Sequence, residues 1–163
     1  TADGMIRRLD RIRAIDPEAR FRTTAMVGFP GETEADFEAL IELVETVRFH
    51  HLGAFIYSDG EDLPAHRRPD PVPAEVARDR LDRLMTRQQA ISEAHNAALV
   101  GSVVDVLVES APEPGRFEGR TSFQAPEVDG ITDLDATGLA VGTVVRSKII
   151  SATEFDLSGV VLD

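Results

Sequence analysis

The chain contains no cysteine among its 163 residues. Disulfide bonds, thiolate nucleophiles, iron–sulfur ligation and cysteine zinc sites are therefore excluded from this stretch of sequence. The four histidines, His50, His51, His66 and His95, lack the H-x-x-x-H spacing of a metal site. We expect no metal ligand and no catalytic nucleophile here, and the lack of cysteine fits a cytoplasmic protein.

Long apolar runs are also missing. The longest are a few residues, far short of the roughly 20 that cross a bilayer, so the sequence predicts no membrane association. The first residues contain no apolar signal core, and the chain starts at Thr1 rather than at Met. We interpret Thr1 as a cut point within a longer protein.

Basic and aromatic side chains are scarce. The net charge is −12, and the last 65 residues carry 4 basic and 11 acidic side chains, a net charge of −7. Aromatic residues make up 6% of the chain, which gives little support for an RNA-stacking surface. A negatively charged surface repels phosphate and attracts basic partners. The alternative is that the negative surface only maintains solubility.

The first part of the chain has the pattern of a βαβ unit. A helix ending near Ile15 is followed by a strand over 21–29, a helix that starts after Thr33 and a second strand over 51–58. Asp36, three residues after Thr33, predicts a capping box. One apolar face of the helix is expected at Phe37, Leu40, Ile41, Val44 and Val47. A strand–helix–strand order implies a parallel pair with a right-handed crossover.

A proline-rich loop over 59–73 leads to a long amphipathic helix from about Pro73 to Ala98. Its apolar side is predicted at Leu81, Leu84, Met85 and Ile91. Beyond Gly101 the pattern changes to short strands with period-2 alternation, at 102–110, 116–124, 143–152 and 154–162. We expect a small closed β-barrel of five strands. The acidic cluster Glu127, Asp129, Asp133 and Asp135 fails the calcium-loop spacing and is interpreted as a solvated loop.

Known nucleotide and nucleophile motifs are absent. The turn GFPGET, at 28–33, has no following Lys-Ser/Thr, and neither G-x-G-x-x-G nor G-x-S-x-G occurs. Residue types alone therefore give a modest functional signal.

Four segments carry a resemblance that covers essentially the whole chain: RTTAMVGFPGETEADF (22–37), GAFIYSDGEDLPA (53–65), VPAEVARDRLDRLMTRQQAIS (72–92) and APEVDG (125–130). They resemble the C-terminal part of the methylthiotransferase family of radical S-adenosylmethionine enzymes. The resemblance implies an α/β part plus an all-β part. Residues 1–70 would be the distal part of a TIM-like barrel with its fifth and sixth strands, 71–98 a linking helix, and 99–163 an OB-like TRAM barrel. Two strands alone leave open edges, so we expect association or partial disorder in 1–70.

Arg22 and the APEVDG stretch are similar to the RimO-type branch, which methylthiolates the β-carbon of an aspartate in the twelfth protein of the small ribosomal subunit. The acidic barrel favours the same branch, since a basic ribosomal protein gains from an acidic partner. The alternative is the branch that modifies adenosine in transfer RNA, and a third possibility is a structural fragment without binding. The family's S-adenosylmethionine and two 4Fe–4S clusters belong to the full-length enzyme. We expect none bound to this cysteine-free chain, which should be inactive alone.

The resemblance also implies site residues. In such a barrel the strand C-terminal ends form the active face, so Met26, Gly28, Phe55 and Tyr57 are the candidate cofactor contacts, with a core or turn role as the alternative. Candidates for substrate recognition are Arg120, Glu127 and Asp129, for which a solvated or loop-fixing role is the alternative. Glu32, at the start of a helix, is interpreted as complementing the helix dipole.

Overall fold

The computed structural model describes residues 2–162, and the chain divides into two units, residues 1–91 and residues 92–163. The first unit contains helices α1 (Ala2–Ile15) and α2 (Glu34–Val47), strands β1 (Arg22–Val27) and β2 (His51–Ile56), a 3-10 turn (Pro64–Arg67) and most of helix α3 (Ala74–Ala97). The second unit contains strands β3 (Val103–Glu113), β4 (Arg116–Thr121), β5 (Thr132–Asp135), β6 (Val144–Ala152) and β7 (Leu157–Val161). Within residues 2–162, every helix is too short or too polar to cross a bilayer.

Strands β1 and β2 form the parallel pair that the sequence predicts. Their register runs from Arg22 opposite His51 to Val27 opposite Ile56. Thr33 caps α2 by accepting a hydrogen bond from the Asp36 N–H, and the Asp36 carboxylate accepts from the Thr33 N–H, so the predicted capping box is present. The two described strands alone do not make a TIM-like barrel.

Helix α2 packs its apolar face on the sheet. Phe37, Val44 and Val47 are almost fully buried, and Ile41 is also buried. Leu40 is half-buried and packs against the same core. The helix ends where Arg48 adopts the left-handed conformation, with its N–H bonded to the Val44 carbonyl.

The predicted apolar side of α3 is partly wrong. Leu84 and Ile91 are buried, but Met85 is exposed, and the buried row also contains Ala77, Arg80 and Gln88. These positions follow the helical spacing of three and four residues. Because Arg80 and Gln88 are polar, the apolar pattern alone shifted the expected face towards Met85.

The second unit is a closed five-stranded barrel with the strand order β3-β4-β5-β7-β6. Strands β5 and β7 are parallel and the other pairs are antiparallel. Its core contains Val106, Val108, Phe117 and Leu134. The closed five-stranded barrel is therefore confirmed.

Two local expectations in the barrel are corrected. Asp133 and Asp135 belong to strand β5 rather than to a solvated loop, because Thr132 and Leu134 alternate with them and point into the core. The strand predicted over 116–124 ends at Thr121. Beyond it, buried Gln124 turns back, and its side-chain oxygen accepts hydrogen bonds from the N–H of Thr121 and from the hydroxyl of Thr132.

Candidate functional site

The candidate cofactor residues lie at the C-terminal ends of β1 and β2. Met26 and Phe55 are register partners and are 42% and 47% exposed. Alternate residues point the other way: Val27 is fully buried and Ile56 packs against the helical core. Met26 and Phe55 therefore form an exposed apolar pair on the face of the sheet opposite to Val27 and Ile56.

Gly28 begins the turn that follows β1. Its φ is +77°, and a Cβ at this position would lie 2.8 Å from the Cβ of Ala77. Both facts require glycine, since the left-handed region disfavours other residues and helix α3 packs directly on the turn. The structure therefore brings the start of α3 against the strand end at which the resemblance implies cofactor contacts.

Tyr57 is held against the same turn. Its N–H donates to the Val27 carbonyl at 2.9 Å, and its ring meets the Phe29 ring edge-on with centroids 5.2 Å apart. The Arg68 guanidinium lies 5.2 Å from the centroid of the Phe29 ring. An open depression of about 360 Å³ next to this cluster is lined by Met26, Phe29, Pro30, Leu40 and Arg68, among others.

Tyr57, Asp59 and His66 form a hydrogen-bonded chain beyond β2. The Tyr57 hydroxyl donates to the Asp59 carboxylate at 3.0 Å, and His66 Nδ1 lies 2.8 Å from the other carboxylate oxygen. The hydrogen bond from His66 lowers the pKa of Asp59, and the bond from Tyr57 acts in the same direction. Partial burial and the neighbouring carboxylate raise the pKa of Tyr57. The loop after β2 is thus tied to the strand end by Asp59.

Two further residues, Glu32 and Arg80, hold the turn through contacts that the sequence did not predict. The Glu32 carboxylate accepts hydrogen bonds from the N–H groups of Gly28 and Phe29, so it holds the turn; its effect on the dipole of α2 stays a prediction. Arg80 is 4% exposed and places its guanidinium 3.6 Å from the Glu32 carboxylate. Glycine and proline marked the turn in the sequence, but no local signal pointed to an arginine 48 residues further on.

The barrel candidates are engaged locally or exposed. Arg120 donates to the Glu109 carboxylate at 2.6 Å across β3 and β4. The Asp129 carboxylate accepts from the Ala125 N–H at 2.6 Å and so closes the turn over 125–129. Glu127 is exposed at the tip of this turn with a φ of +60°.

Strand pairing builds a second depression that the sequence did not predict. It measures about 340 Å³ and is lined by Arg116, Asp133, Asp135, Ile150, Ser158 and Gly159. The Arg116 guanidinium lies 3.7 Å from the Asp133 carboxylate. These residues come from β4, β5, β6 and β7, so only the closed barrel places them side by side.

Comparison with known proteins gives a consistent result. Residues 100–162 match the model of the TRAM domain. The chain is similar to proteins named ribosomal protein uS12 methylthiotransferase RimO. Identity is 49% with that of Desulfosudis oleivorans, 44% with that of Thermosynechococcus vestitus and 42% with that of Desulfitobacterium hafniense. These matches cover 98%, 95% and 99% of this chain and 36%, 35% and 36% of the relatives. By sequence, the chain belongs to the RimO-type methylthiotransferase family.

The chain spans about a third of the length of the curated relatives that it matches. In this family context the barrel of the second unit is the TRAM domain, and strands β1 and β2 carry the residues that the resemblance assigns to the cofactor.

Of the groups that the resemblance implies, the residues present fit S-adenosylmethionine and do not fit an iron–sulfur cluster. An exposed apolar pair beside a glycine turn suits the flat, apolar face of an adenine ring. An iron–sulfur cluster needs cysteine thiolates, and the chain has none. Within residues 2–162, no three His, Asp or Glu side chains come together as a metal site.

Proposed function

We propose that this chain is part of a radical S-adenosylmethionine enzyme that methylthiolates the β-carbon of an aspartate in ribosomal protein uS12. The observation that carries the proposal is 49% identity over 98% of the chain to a protein named for this activity. The proposal includes three parts: residues 1–70 as the distal strands of a TIM-like barrel, 71–98 as a linking helix and 99–163 as the TRAM module.

The open face of β1 and β2 supports the barrel part of the proposal. In a TIM-like barrel one face of each strand packs on helices, and the other faces the barrel interior. Val27 and Ile56 meet the first condition, while Met26 and Phe55 are left exposed. The exposed pair would then line the inside of the barrel at its active end.

The chain's own part in the chemistry is to hold the cofactor. Met26 and Phe55 would pack on the adenine ring, while Gly28 allows the backbone to approach closely and Tyr57 bounds the edge through its contact with Phe29. When bound, S-adenosylmethionine would supply the methyl group and the radical chemistry of the family. The chain supplies no cluster ligand, so alone it is proposed to be inactive.

The charge of the TRAM domain supports a protein substrate. Its residues 99–163 carry a net charge of −7, with exposed Glu127 at the tip of a turn. A negative field of this kind speeds the encounter with a basic ribosomal protein and repels an RNA backbone. Arg120, Glu127 and Asp129 remain our candidates for this recognition, with Arg120 held by Glu109 across β3 and β4 and Asp129 acting through the turn that it closes. The enzyme would act in the cytoplasm, where ribosomal proteins are made.

A hybrid enzyme tests the proposal. The segment of the Desulfosudis oleivorans relative that matches this chain is replaced by the 163 residues, and uS12 is analysed by mass spectrometry for one added methylthio group. We expect modification by the hybrid and loss of S-adenosylmethionine binding after Met26→Glu, which places a charge on the open face. Met85→Glu is the matched control, because Met85 is an exposed methionine on α3.

Two results would contradict the proposal. One is a folded hybrid that binds the cofactor but leaves uS12 unmodified. The other is tight binding of transfer RNA by the whole chain in an electrophoretic shift assay, since this would favour the RNA-modifying branch.

A further inference from the structure

The Glu32 carboxylate is turned back into the strand end that it follows. One of its oxygens accepts hydrogen bonds from the Gly28 N–H and, at 3.1 Å, from the Phe29 N–H. The side chain is 12% exposed. Helix α2 is capped by Thr33 and Asp36, so Glu32 is not needed there. A nearly buried carboxylate that binds two backbone N–H groups fixes their direction.

Arg80 is the counter-charge of this carboxylate. Its guanidinium lies 3.6 Å from the Glu32 carboxylate, donates to the Glu32 carbonyl at 3.2 Å and donates to the Glu34 carboxylate at 3.2 Å. The Arg80 side chain is 5% exposed and lies 5.6 Å from the centroid of the Phe37 ring. Within the described residues its Nε has no hydrogen-bond partner. A buried charge is retained at such a place only when it is paired, so Arg80 and Glu32 depend on each other.

The backbone of the turn is consequently held from two sides. The Val27 carbonyl accepts from the Tyr57 N–H, while the Gly28 and Phe29 N–H groups point to Glu32. Ala77, one helical turn before Arg80 on α3, lies against Gly28. Helix α3 thus contacts the turn twice, once through a small side chain and once through a charge.

We propose that Glu32 and Arg80 are a positioning pair that fixes the Gly28–Phe29 backbone and so sets the shape of the cofactor edge next to Met26. Both N–H groups are occupied by the Glu32 carboxylate, so they are not available to donate hydrogen bonds to the cofactor. The identity of the ligand in this inference rests on the proposed function. The hydrogen bonds by which Glu32, paired with Arg80, holds the Gly28–Phe29 backbone, called the clamp below, do not depend on it.

Residue-resolved amide hydrogen exchange on the chain tests the clamp. Glu32→Gln and Arg80→Met should speed exchange at Gly28 and Phe29 roughly tenfold or more, because a charge-assisted hydrogen bond is lost or weakened. The Leu52 amide in β2 should stay within about twofold after correction for global stability. Arg80→Lys keeps the charge and should recover part of the protection. If Arg80→Met does not fold, the exchange measurement is made on Arg80→Lys instead.

Two controls separate positioning from stability. Arg83→Met removes an exposed arginine of α3, the helix that also carries Arg80. Arg83 pairs with Glu34 and Glu38 of α2 but does not reach Glu32. Val47→Ala destabilises the core at the other end of α2, about 20 Å along the helix axis. Neither control should change exchange at Gly28 and Phe29 relative to Leu52.

The same substitutions in the hybrid enzyme test the link to the cofactor by equilibrium dialysis of S-adenosylmethionine. Glu32→Gln and Arg80→Met should each raise the dissociation constant roughly tenfold, Arg80→Lys should raise it less, and Arg83→Met should leave it within about twofold. Unchanged exchange at Gly28 and Phe29 in Glu32→Gln overturns the clamp. Faster exchange with unchanged cofactor affinity overturns the positioning role. If the unsubstituted hybrid binds no cofactor, the proposed function fails, while the exchange experiment still decides the clamp.

Discussion

Replacing Gly28 with alanine tests how closely α3 packs on the turn. Two penalties apply: the φ of +77° and the 2.8 Å approach of the new Cβ to the Cβ of Ala77. A left-handed conformation disfavours an L-residue by about 1–2 kcal/mol, and overpacking adds about 1–3 kcal/mol. We expect Gly28→Ala to lower the free energy of unfolding by about 2–5 kcal/mol in total.

Gly31→Ala is the matched control. Gly31 has a φ of +87°, but a Cβ there would have nothing within 4 Å. Only the backbone penalty of about 1–2 kcal/mol remains. The effect of alanine on the unfolded chain is common to both substitutions and cancels in their difference. That difference therefore measures the contact with Ala77.

The assay is urea unfolding of the chain, followed by tyrosine fluorescence. Tyr57 is the single tyrosine and the chain has no tryptophan, so the signal reports on the first unit. Gly28→Ala combined with Ala77→Gly should recover the contact part of the loss. Equal effects of Gly28→Ala and Gly31→Ala would refute the close packing of α3, and no effect of either would refute the left-handed turn.

Three further outcomes are expected. Thr33→Ala should destabilise the first unit by about 1 kcal/mol in urea unfolding through loss of the cap of α2. It should also raise the NMR titration midpoint of Asp36, whose pKa the Thr33 hydrogen bonds hold below its ordinary value in the folded chain. The stability from this depressed pKa is present above the unfolded value and is lost as the pH falls through the folded value, so an unshifted midpoint in Thr33→Ala would contradict the capping box. Leu134→Ala, at a side chain 1% exposed, should destabilise the TRAM domain by about 2–5 kcal/mol in circular-dichroism melts, whereas Val160→Ala, at 44% exposure, should change little. Binding of the chain to uS12, measured by calorimetry, should weaken steeply with added salt, and salt-independent binding would argue against recognition by charge.

The sequence predicted the elements whose patterns are local. The Thr33–Asp36 capping box, the βαβ order and four of the five barrel strands follow from spacing within a few residues. The segments that failed depend on distant partners. Strand β5 has four residues and a single large apolar side chain, Leu134, and it is a strand because β4 and β7 lie on both sides of it.

In the candidate site, too, the features with a local sequence pattern were predicted and those that depend on distant residues were not. The turn at Gly28 was recognisable from its glycines, and the exposure of Met26 and Phe55 agrees with a ligand face. Arg80 was not recognisable, because a charged residue in an amphipathic helix is expected in solvent. Its burial depends on the Glu32 carboxylate, which lies 48 residues away in the sequence.

The order of strands in the barrel has a consequence for synthesis. Strand β7 pairs with both β5 and β6, so it closes the barrel. A nascent chain that has emerged only to Ala152 has two unpaired edges, at β5 and at β6, and cannot complete its core. Folding of this domain must therefore wait until Leu157–Val161 has left the exit tunnel, and until then the open edges are available to other strands.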